Sequence, residues 1–302
     1  MSKKIKRLFP ILQIRILLKK IKRMQKTASM KTLKMKIVKR YDNIPKNEIS
    51  SEIQDAVDFL RENLYSISPY PHPFTKKYHP KKIKVFRDKG LKMNYVLHDG
   101  KKLYFKSKMN GYNVRNAYSD LLVEQDLESP HRYETREFSV LNGDIVADIG
   151  SAEGIFALSV VERAKKLYLF ESDKEWIDAL KATFEPWKDK VTIIRQYVSD
   201  VDTDNTVTID RFFDQNPVDF IKADVEGAEP KLLNGATKLL AQQNPLKIAI
   251  CTYHKKDDAK IVEEILGKHR FSVNFSDGYC LLHIDDLEPP FFRKCLIRAR
   301  KD

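Results

Sequence analysis

Asp144-Ile145-Val146-Ala147-Asp148-Ile149-Gly150-Ser151-Ala152-Glu153-Gly154 sets the interpretation of this 302-residue chain. A short apolar run, Ile145 to Ile149, is interrupted only by Asp148 and ends at a glycine. A second glycine follows before the helical pattern Ile155 to Arg163 begins. That order is strand, tight turn, helix. Open α/β sheets bind their ligands at the carboxyl ends of such strands, where the turn's backbone approaches the ligand and the helix N-terminus offers free N–H groups.

The sequence after residue 141 repeats this unit. Strands are expected at Ile145 to Ile149, Leu167 to Phe170, Val191 to Ile194, Val218 to Ala223 and Lys247 to Thr252. Helices are expected at Gly154 to Ala164, Lys174 to Phe184, Pro230 to Leu240 and Asp257 to His269. Such alternation predicts an α/β fold, a mostly parallel sheet with helices on both faces. Phe271 to Phe275, Tyr279 to Ile284 and Lys294 to Arg300 then read as strands, with a turn at Asp277-Gly278, so an antiparallel edge is expected.

Residues 41–140 read as a small α+β cap. Its elements are a helix Glu48 to Leu64 opened by Asn47, a Pro-rich loop, a strand Lys82 to Phe86, and a hairpin of Tyr95 to His98 with Lys102 to Phe105 turning at Asp99-Gly100. A helix Val114 to Asp126 and a polar, aromatic loop Ser129 to Glu134 complete it.

The net charge of +13 belongs to one end of the chain. Fifteen of the 55 basic residues lie in residues 1–40, which contain no acid, leaving 40 basic against 42 acidic residues elsewhere. Between Ile11 and Lys26, apolar Ile11, Ile14, Leu18 and Ile21 recur at steps of three and four, with Arg15, Lys19, Lys22, Arg23 and Lys26 opposite. This amphipathic basic helix suits an anionic membrane surface, packing on a partner, or nucleic acid. No run is long and apolar enough for a spanning helix, no signal-peptide pattern is present, and the three cysteines form no CxxC pair. A cytoplasmic protein, peripheral at the membrane, is expected.

The turn does not fit a dinucleotide. G-x-G-x-x-G would need glycines where Ala152 and Ile155 stand, and Glu153 would put a carboxylate where a pyrophosphate sits. S-adenosylmethionine (SAM), with a sulfonium, an amino-acid end and a ribose, tolerates acids. Glu171, after the next strand, is placed to accept from both ribose hydroxyls. Ser199 and Asp200, after the third strand, are placed to meet the adenine.

Val146 to Gly154, Phe170-Glu171, Thr208-Ile209-Asp210, the run Phe220-Ile221-Lys222-Ala223-Asp224-Val225-Glu226-Gly227-Ala228-Glu229 and Leu233-Asn234-Gly235-Ala236 together resemble the FkbM-type SAM-dependent methyltransferases. The K-x-D-x-E-G-x-E pattern of Lys222 to Glu229 is the most specific part. The resemblance implies the class I, Rossmann-like methyltransferase sheet, SAM as donor, and O-methylation of a sugar, polyketide or similar hydroxyl. By position it implies that Asp148, Gly150, Gly154 and Glu171, with the turn residues Ser151, Ala152 and Glu153, hold SAM, and that Tyr133 and Glu134 close over it. Two positions depart from the family pattern. Its glutamate two residues before the strand-ending histidine is replaced in Cys251-Thr252-Tyr253-His254, and its Gly-Ala-Asn-x-Gly turn is Gly150-Ser151-Ala152-Glu153-Gly154 here.

Asp224 and Glu226 lie at the carboxyl end of the fourth strand and His254 at that of the fifth, so all three should face the pocket that Gly150 borders. A hydroxyl acceptor needs a base to take its proton; His254, with an ordinary pKa near neutrality, is the first candidate, then Glu226, with Asp224 on SAM or acceptor. His131, Arg132 and Tyr133 are expected to form a lid, with His131, Arg132 and Lys222 the candidate substrate contacts. Lys222, inside an apolar strand, needs a buried partner such as Asp210 or Glu229. Two acids and a histidine also make a ligand set for a divalent ion, but no tight pair such as His-x-Glu-x-His is present, so no metal is expected. The function expected is O-methylation of a glycan or other hydroxylated metabolite. An RNA-modifying methyltransferase using the tail, and a non-catalytic SAM-binding module, are the alternatives, with nucleic acid the less expected partner because the body is near neutral.

Overall fold

The structure, a computed structural model, describes residues 28–66, 68–282 and 287–302. The basic helix expected between Ile11 and Lys26 lies outside them. The chain forms two compact units, Met1–Pro73 with Leu281–Phe292, and Phe74–Cys280 with Arg293–Asp302. The boundary at Pro73 falls inside the 41–140 region read as one cap.

In the first unit, helix α1 (28–42) buries Met30, Lys34 and Ile37, which share one face through their spacing of three and four. A lysine in that stripe needs acceptors. Its Nζ donates to Asn63 O (3.1 Å) and Ser66 O (2.6 Å), just past the C-terminus of α2 (Ser51–Glu62), where unsatisfied carbonyls and the helix dipole favour a cation. Burial lowers the Lys34 pKa to about 8. Ser50, not Asn47, caps α2, its side chain accepting from Ile53 N at 3.4 Å. The backbone bond Leu281 N to Pro69 O, 2.6 Å, joins the two segments of this unit. Among the described residues no helix is long and apolar enough to cross a membrane.

The second unit opens with an antiparallel sheet, β1 (Phe86–Asp88), β2 (Met93–His98) and β3 (Lys101–Tyr104), the last two turning at Asp99 and Gly100 as the sequence predicts. The strand expected from Lys82 starts only at Phe86, because Pro80–Lys82 is a single 3₁₀ turn. Helix α3 (Gly111–Glu124), capped by Asn110, follows. Then strand and helix alternate: β4 (Ile145–Ile149), α4 (Ile155–Val160), β5 (Lys166–Phe170), α5 (Lys174–Phe184), β6 (Val191–Ile194), the small parallel pair β7 (Tyr197–Val198) and β8 (Thr206–Val207), and α6 (Ile209–Phe212). β9 (Phe220–Ala223), α7 (Glu229–Asn234), α8 (Thr237–Ala241), β10 (Leu246–Cys251), α9 (Asp258–Lys268), β11 (Ser272–Phe275) and β12 (Leu296–Lys301) complete the unit.

Seven strands form the main sheet in the order β11-β12-β10-β9-β4-β5-β6. β10, β9, β4, β5 and β6 run parallel, while β12 is antiparallel to both β10 and β11. This is the α/β sheet with an antiparallel edge that the sequence predicts. All four residues of β9 are buried, Lys222 included, as expected of a central strand covered on both faces.

Two expected elements differ. The helix over Pro230 to Leu240 is broken into α7 and α8 at Gly235, where an added Cβ would come within 2.1 Å of Ser199 O, so only glycine admits that close approach. Asp210 then starts α8 afresh, accepting from Lys238 N (2.9 Å), Leu239 N (2.9 Å) and Thr237 Oγ1 (3.2 Å). Asp210 is therefore a helix cap and not the partner of Lys222. The strand expected over Tyr279 to Ile284 is, among the described residues, only the isolated bridge of Cys280 with Arg293.

Candidate active site

The parallel strands β4, β5, β9 and β10 bring Gly150, Glu171, Asp224 and the segment Thr252–His254 to one end of the sheet. The turn after β4 is held tightly. Gly150 has φ +73°, and a Cβ there would lie 1.9 Å from Asp224 O, so the turn is pressed onto the end of β9. Ser151 Oγ donates to Asp148 O at 2.7 Å, and Ala152, itself at φ 45°, donates its N–H to Glu171 Oε2 at 2.9 Å. Glu171 Oε1 accepts from Asp173 N at 2.7 Å, so this carboxylate is fixed over the turn from the end of β5. Gly154 faces the other way: a Cβ there would meet Leu180 and Phe184 of α5, so this glycine serves close helix packing.

Behind the turn lies a buried ion pair. Lys222 Nζ is 2.9 Å from Asp148 Oδ1 and donates to Gly150 O at 2.7 Å. Burial acts to lower the lysine's pKa, but the Asp148 and Asp224 carboxylates outweigh it and raise it, so the ammonium persists. The partner of Lys222 is thus Asp148, on the adjacent strand. The Tyr133 ring lies 5.3 Å from the same ammonium, and its hydroxyl donates to Asp224 Oδ2 at 3.2 Å. Arg298 holds this segment from β12, donating to Arg132 O (2.5 Å) and Tyr133 O (3.3 Å).

At the ends of β9 and β10 the acids converge on one imidazole. His254 Nε2 is 3.4 Å from both Asp224 Oδ1 and Glu226 Oε2, and Nδ1 is 3.0 Å from Glu229 Oε1. Glu229 is fully buried and also accepts from Val225 N at 3.0 Å. Burial would lower the His254 pKa, but Glu226, Glu229 and Asp224 raise it to about 10. The ring therefore carries its proton at neutral pH, and a pKa near neutrality, the reason for choosing it as base, does not hold in this setting. His131 is the opposite case: buried, with Nε2 3.2 Å from Tyr253 Oη and 3.7 Å from Asp224 Oδ2, it is lowered to about 4 by desolvation and stays neutral.

Several expected site residues are engaged by the protein itself. The Arg132 guanidinium donates to the carbonyls of Glu134 and Gln125, so it is committed to main chain and not presented as an anion clamp. Glu134 takes a two-pronged bond from Arg163 (2.8 and 2.9 Å) and accepts from Val140 N at 2.9 Å, latching the segment that leads into the start of β4 and not closing over its carboxyl end. Ser199 and Asp200 follow β7, with Ser199 Oγ 3.1 Å from Asp200 Oδ1. Glu153 is buried at the start of α4; desolvation pushes its pKa to about 7 against the pull of its own and Ile155's backbone N–H groups.

Sequence reasoning missed Glu124. This last residue of α3 is pushed up to about 8, by burial and then by the fields of Asp224 and Glu153, which places it electrostatically with the site. The available signal was an acid in the last turn of a helix, where the dipole disfavours it.

The acids suit SAM and not a phosphate ligand: Glu171 is anchored over the turn, where acids in such sheets meet a ribose. The Methyltransferase FkbM domain matches residues 119–273, which contain every element from β4 to α9. The chain belongs to the FkbM methyltransferase family, and its sheet is that of the class I SAM-dependent methyltransferases. Solved structures similar to it include the FkbM methyltransferase of Methylobacillus flagellatus (18% identity, TM-score 0.44, 62% of this chain and 53% of that one). Others are a protein of Pyrococcus horikoshii assigned as an RNA methyltransferase (17%, TM-score 0.35, 76% and 98%) and a methyltransferase-assigned protein of Streptococcus mutans in complex with SAH (14%, TM-score 0.35, 53% and 90%). The match thus spans about half the length of the Methylobacillus protein. No curated protein matches the chain.

Proposed function

We propose that this methyltransferase moves the methyl group of SAM to a hydroxyl of a glycan or related metabolite. The observation that carries the reading is the cluster of Asp224, Glu226, Glu229 and His254 beside the Gly150 turn, a set of carboxylates around one imidazolium that offers oxygens to take up a hydroxyl proton. SAM supplies an already activated methyl on a sulfonium, so the chain's task is to hold donor and acceptor in line and to receive one proton. Ala152, Glu171 and the Gly150 turn form the donor cradle, and Tyr133 steadies Asp224 through its hydroxyl. Lys222 and His254, as imidazolium, help to hold the Asp224 carboxyl below its ordinary pKa against burial, which acts to raise it. The acceptor's proton passes to this cluster and leaves through Glu226, whose side chain is 91% exposed.

The basic residues 1–40 support a location at an anionic membrane face of the cytoplasm, where the acceptor is lipid-linked. Incubating the full chain with SAM and panels of sugars, lipid-linked glycans, RNA and amines, with mass spectrometry of S-adenosylhomocysteine and product, tests this. Methyl ethers are expected; methyl found on nitrogen, or no turnover with any hydroxylated acceptor, would overturn it.

A further inference from the structure

We infer that the outer face of the β1-β2-β3 sheet docks on an anionic membrane surface, with Leu91 and Leu97 entering the headgroup region and the surrounding lysines meeting lipid phosphates. The inference rests on the membrane location proposed above for its partner, and puts the contact on the folded body as well as on residues 1–40. The near-neutral charge of that body is a cancellation. Residues 74–110 hold twelve Lys or Arg against two Asp, leaving 28 basic and 40 acidic residues in the rest of the chain beyond residue 40.

Three observations carry it. First, the face is apolar where a solvated one would be polar. β2 alternates, with Asn94, Val96 and His98 buried and Met93, Tyr95 and Leu97 on the outer side. Across the sheet Tyr95 pairs with Phe86 and Tyr104, and Leu97 with Lys102. Leu97 is 49% exposed and Leu91, in the β1–β2 turn, 50%. Leu91 lines one groove with Met93, Lys102 and Tyr104, so it stands on the same side. Second, the rim is basic: Lys84, Lys89, Lys92 and Lys102 are all exposed. Lys84 lies over the Phe86 ring at 5.0 Å and Lys102 over the Tyr95 ring at 5.1 Å, which sets two of these ammonium groups on the aromatic row. Third, the sheet is joined to the donor site. Lys106, two residues past β3, is 2.5 Å from Asp173, and Lys108 meets Glu175. Both acids open α5, just after Glu171, so the docked face is tied to the end of β5 where the donor turn lies.

Exposed leucines within a ring of ammonium groups fit the boundary between acyl chains and phosphates, where each Lys near an anionic surface contributes about a fivefold factor in binding. A nucleic acid would use the charge but has no use for the leucines. It also stacks its bases on open rings, whereas Phe86 and Tyr95 stack on each other at 5.3 Å and each lies under an ammonium. A second copy of the chain would set this positive rim against itself.

The test uses the full chain with vesicles of equal parts phosphatidylglycerol and phosphatidylcholine. An environment-sensitive fluorophore on Leu97→Cys, the three native cysteines being buried, should shift to the blue when vesicles are added. The same probe on Lys238→Cys, exposed on α8, should not. In unlabelled protein, Leu91→Ser with Leu97→Ser, and Lys89→Gln with Lys102→Gln, should each weaken cosedimentation at least tenfold, with the circular dichroism spectrum unchanged. A Leu97 probe that stays in water while the protein is bound, or variants that bind as the wild type does, overturns the surface. Retention of single-stranded RNA in place of vesicles also overturns it and makes the face a nucleic-acid interface. SAM affinity, measured calorimetrically on the same samples, separates the two readings: SAM binding without vesicle binding sinks the surface and keeps the methyltransferase, whereas vesicle binding without SAM binding does the reverse.

Discussion

Lys222 and Asp148 face each other across the β9–β4 ladder, paired in register, with Nζ and Oδ1 2.9 Å apart and side chains only 6% and 1% exposed. One charge pair thus welds the two strands whose ends build the donor turn and the acceptor cluster. Removing one partner strands the other charge in the core. Lys222→Met should cost about 3–5 kcal/mol of stability in urea unfolding, and Lys222→Met combined with Asp148→Leu should recover much of it. A Lys222→Met protein that unfolds at the wild-type midpoint would show that the pair is not buried as described.

Gly150→Ala should be felt first at the donor. Its Cβ would fall 1.9 Å from Asp224 O, so the turn must lift off β9. We expect SAM affinity to drop at least tenfold by calorimetry, with a destabilisation of about 1–3 kcal/mol from the unfavourable backbone conformation. Wild-type SAM affinity in this variant would remove the turn from the donor site.

Glu171→Gln keeps the shape and removes the charge that accepts from Ala152 N and Asp173 N. Hydrogen bonds to a charged group contribute about 1.5–3 kcal/mol, so the SAM dissociation constant should rise roughly ten- to a hundredfold. Turnover at saturating SAM should change far less, and a large fall in turnover with unchanged affinity would assign Glu171 to another task.

Glu153 makes stability depend on pH. Its pKa is raised from 4.5 to about 7, so the folded state holds a proton that the unfolded state has lost. The contribution is fully present below pH 4.5 and is lost as pH rises through 7. Between those limits the wild type should lose about 3 kcal/mol relative to Glu153→Gln. Parallel denaturation curves for the two proteins across this range would refute the burial of an acid at the start of α4.

The sheet was legible because its strands are short apolar runs at regular spacing: β4, β6 and α5 fall on the predicted residues, and β5 and β10 within one residue. What escaped depends on contacts between residues far apart in sequence. The glycine at the break, Gly235, is required by the close approach of Ser199 O, and the cap on α8 is made by Asp210, neither of which periodicity registers. In the site, residue types at strand ends were enough to gather Asp224, Glu226 and His254. They did not reveal that three carboxylates meet at one imidazole and change its protonation, nor that Arg132 and Glu134 turn to structural partners. Lys222 was seen to need an acid, but choosing Asp148 required the strand order, which places β9 next to β4.

The order of strands also bears on synthesis. β12, formed by Leu296–Lys301, lies between β10 and β11 and, among the described residues, is the only partner of β11 in the sheet. β10 and β11 both precede in sequence the strand that joins them, so until Leu296–Lys301 is in place β10 presents an unpaired edge and β11 lacks its strand partner. A folding chain in which β12 has not yet docked therefore carries an edge open to aggregation, and that edge is where a chaperone has most to protect.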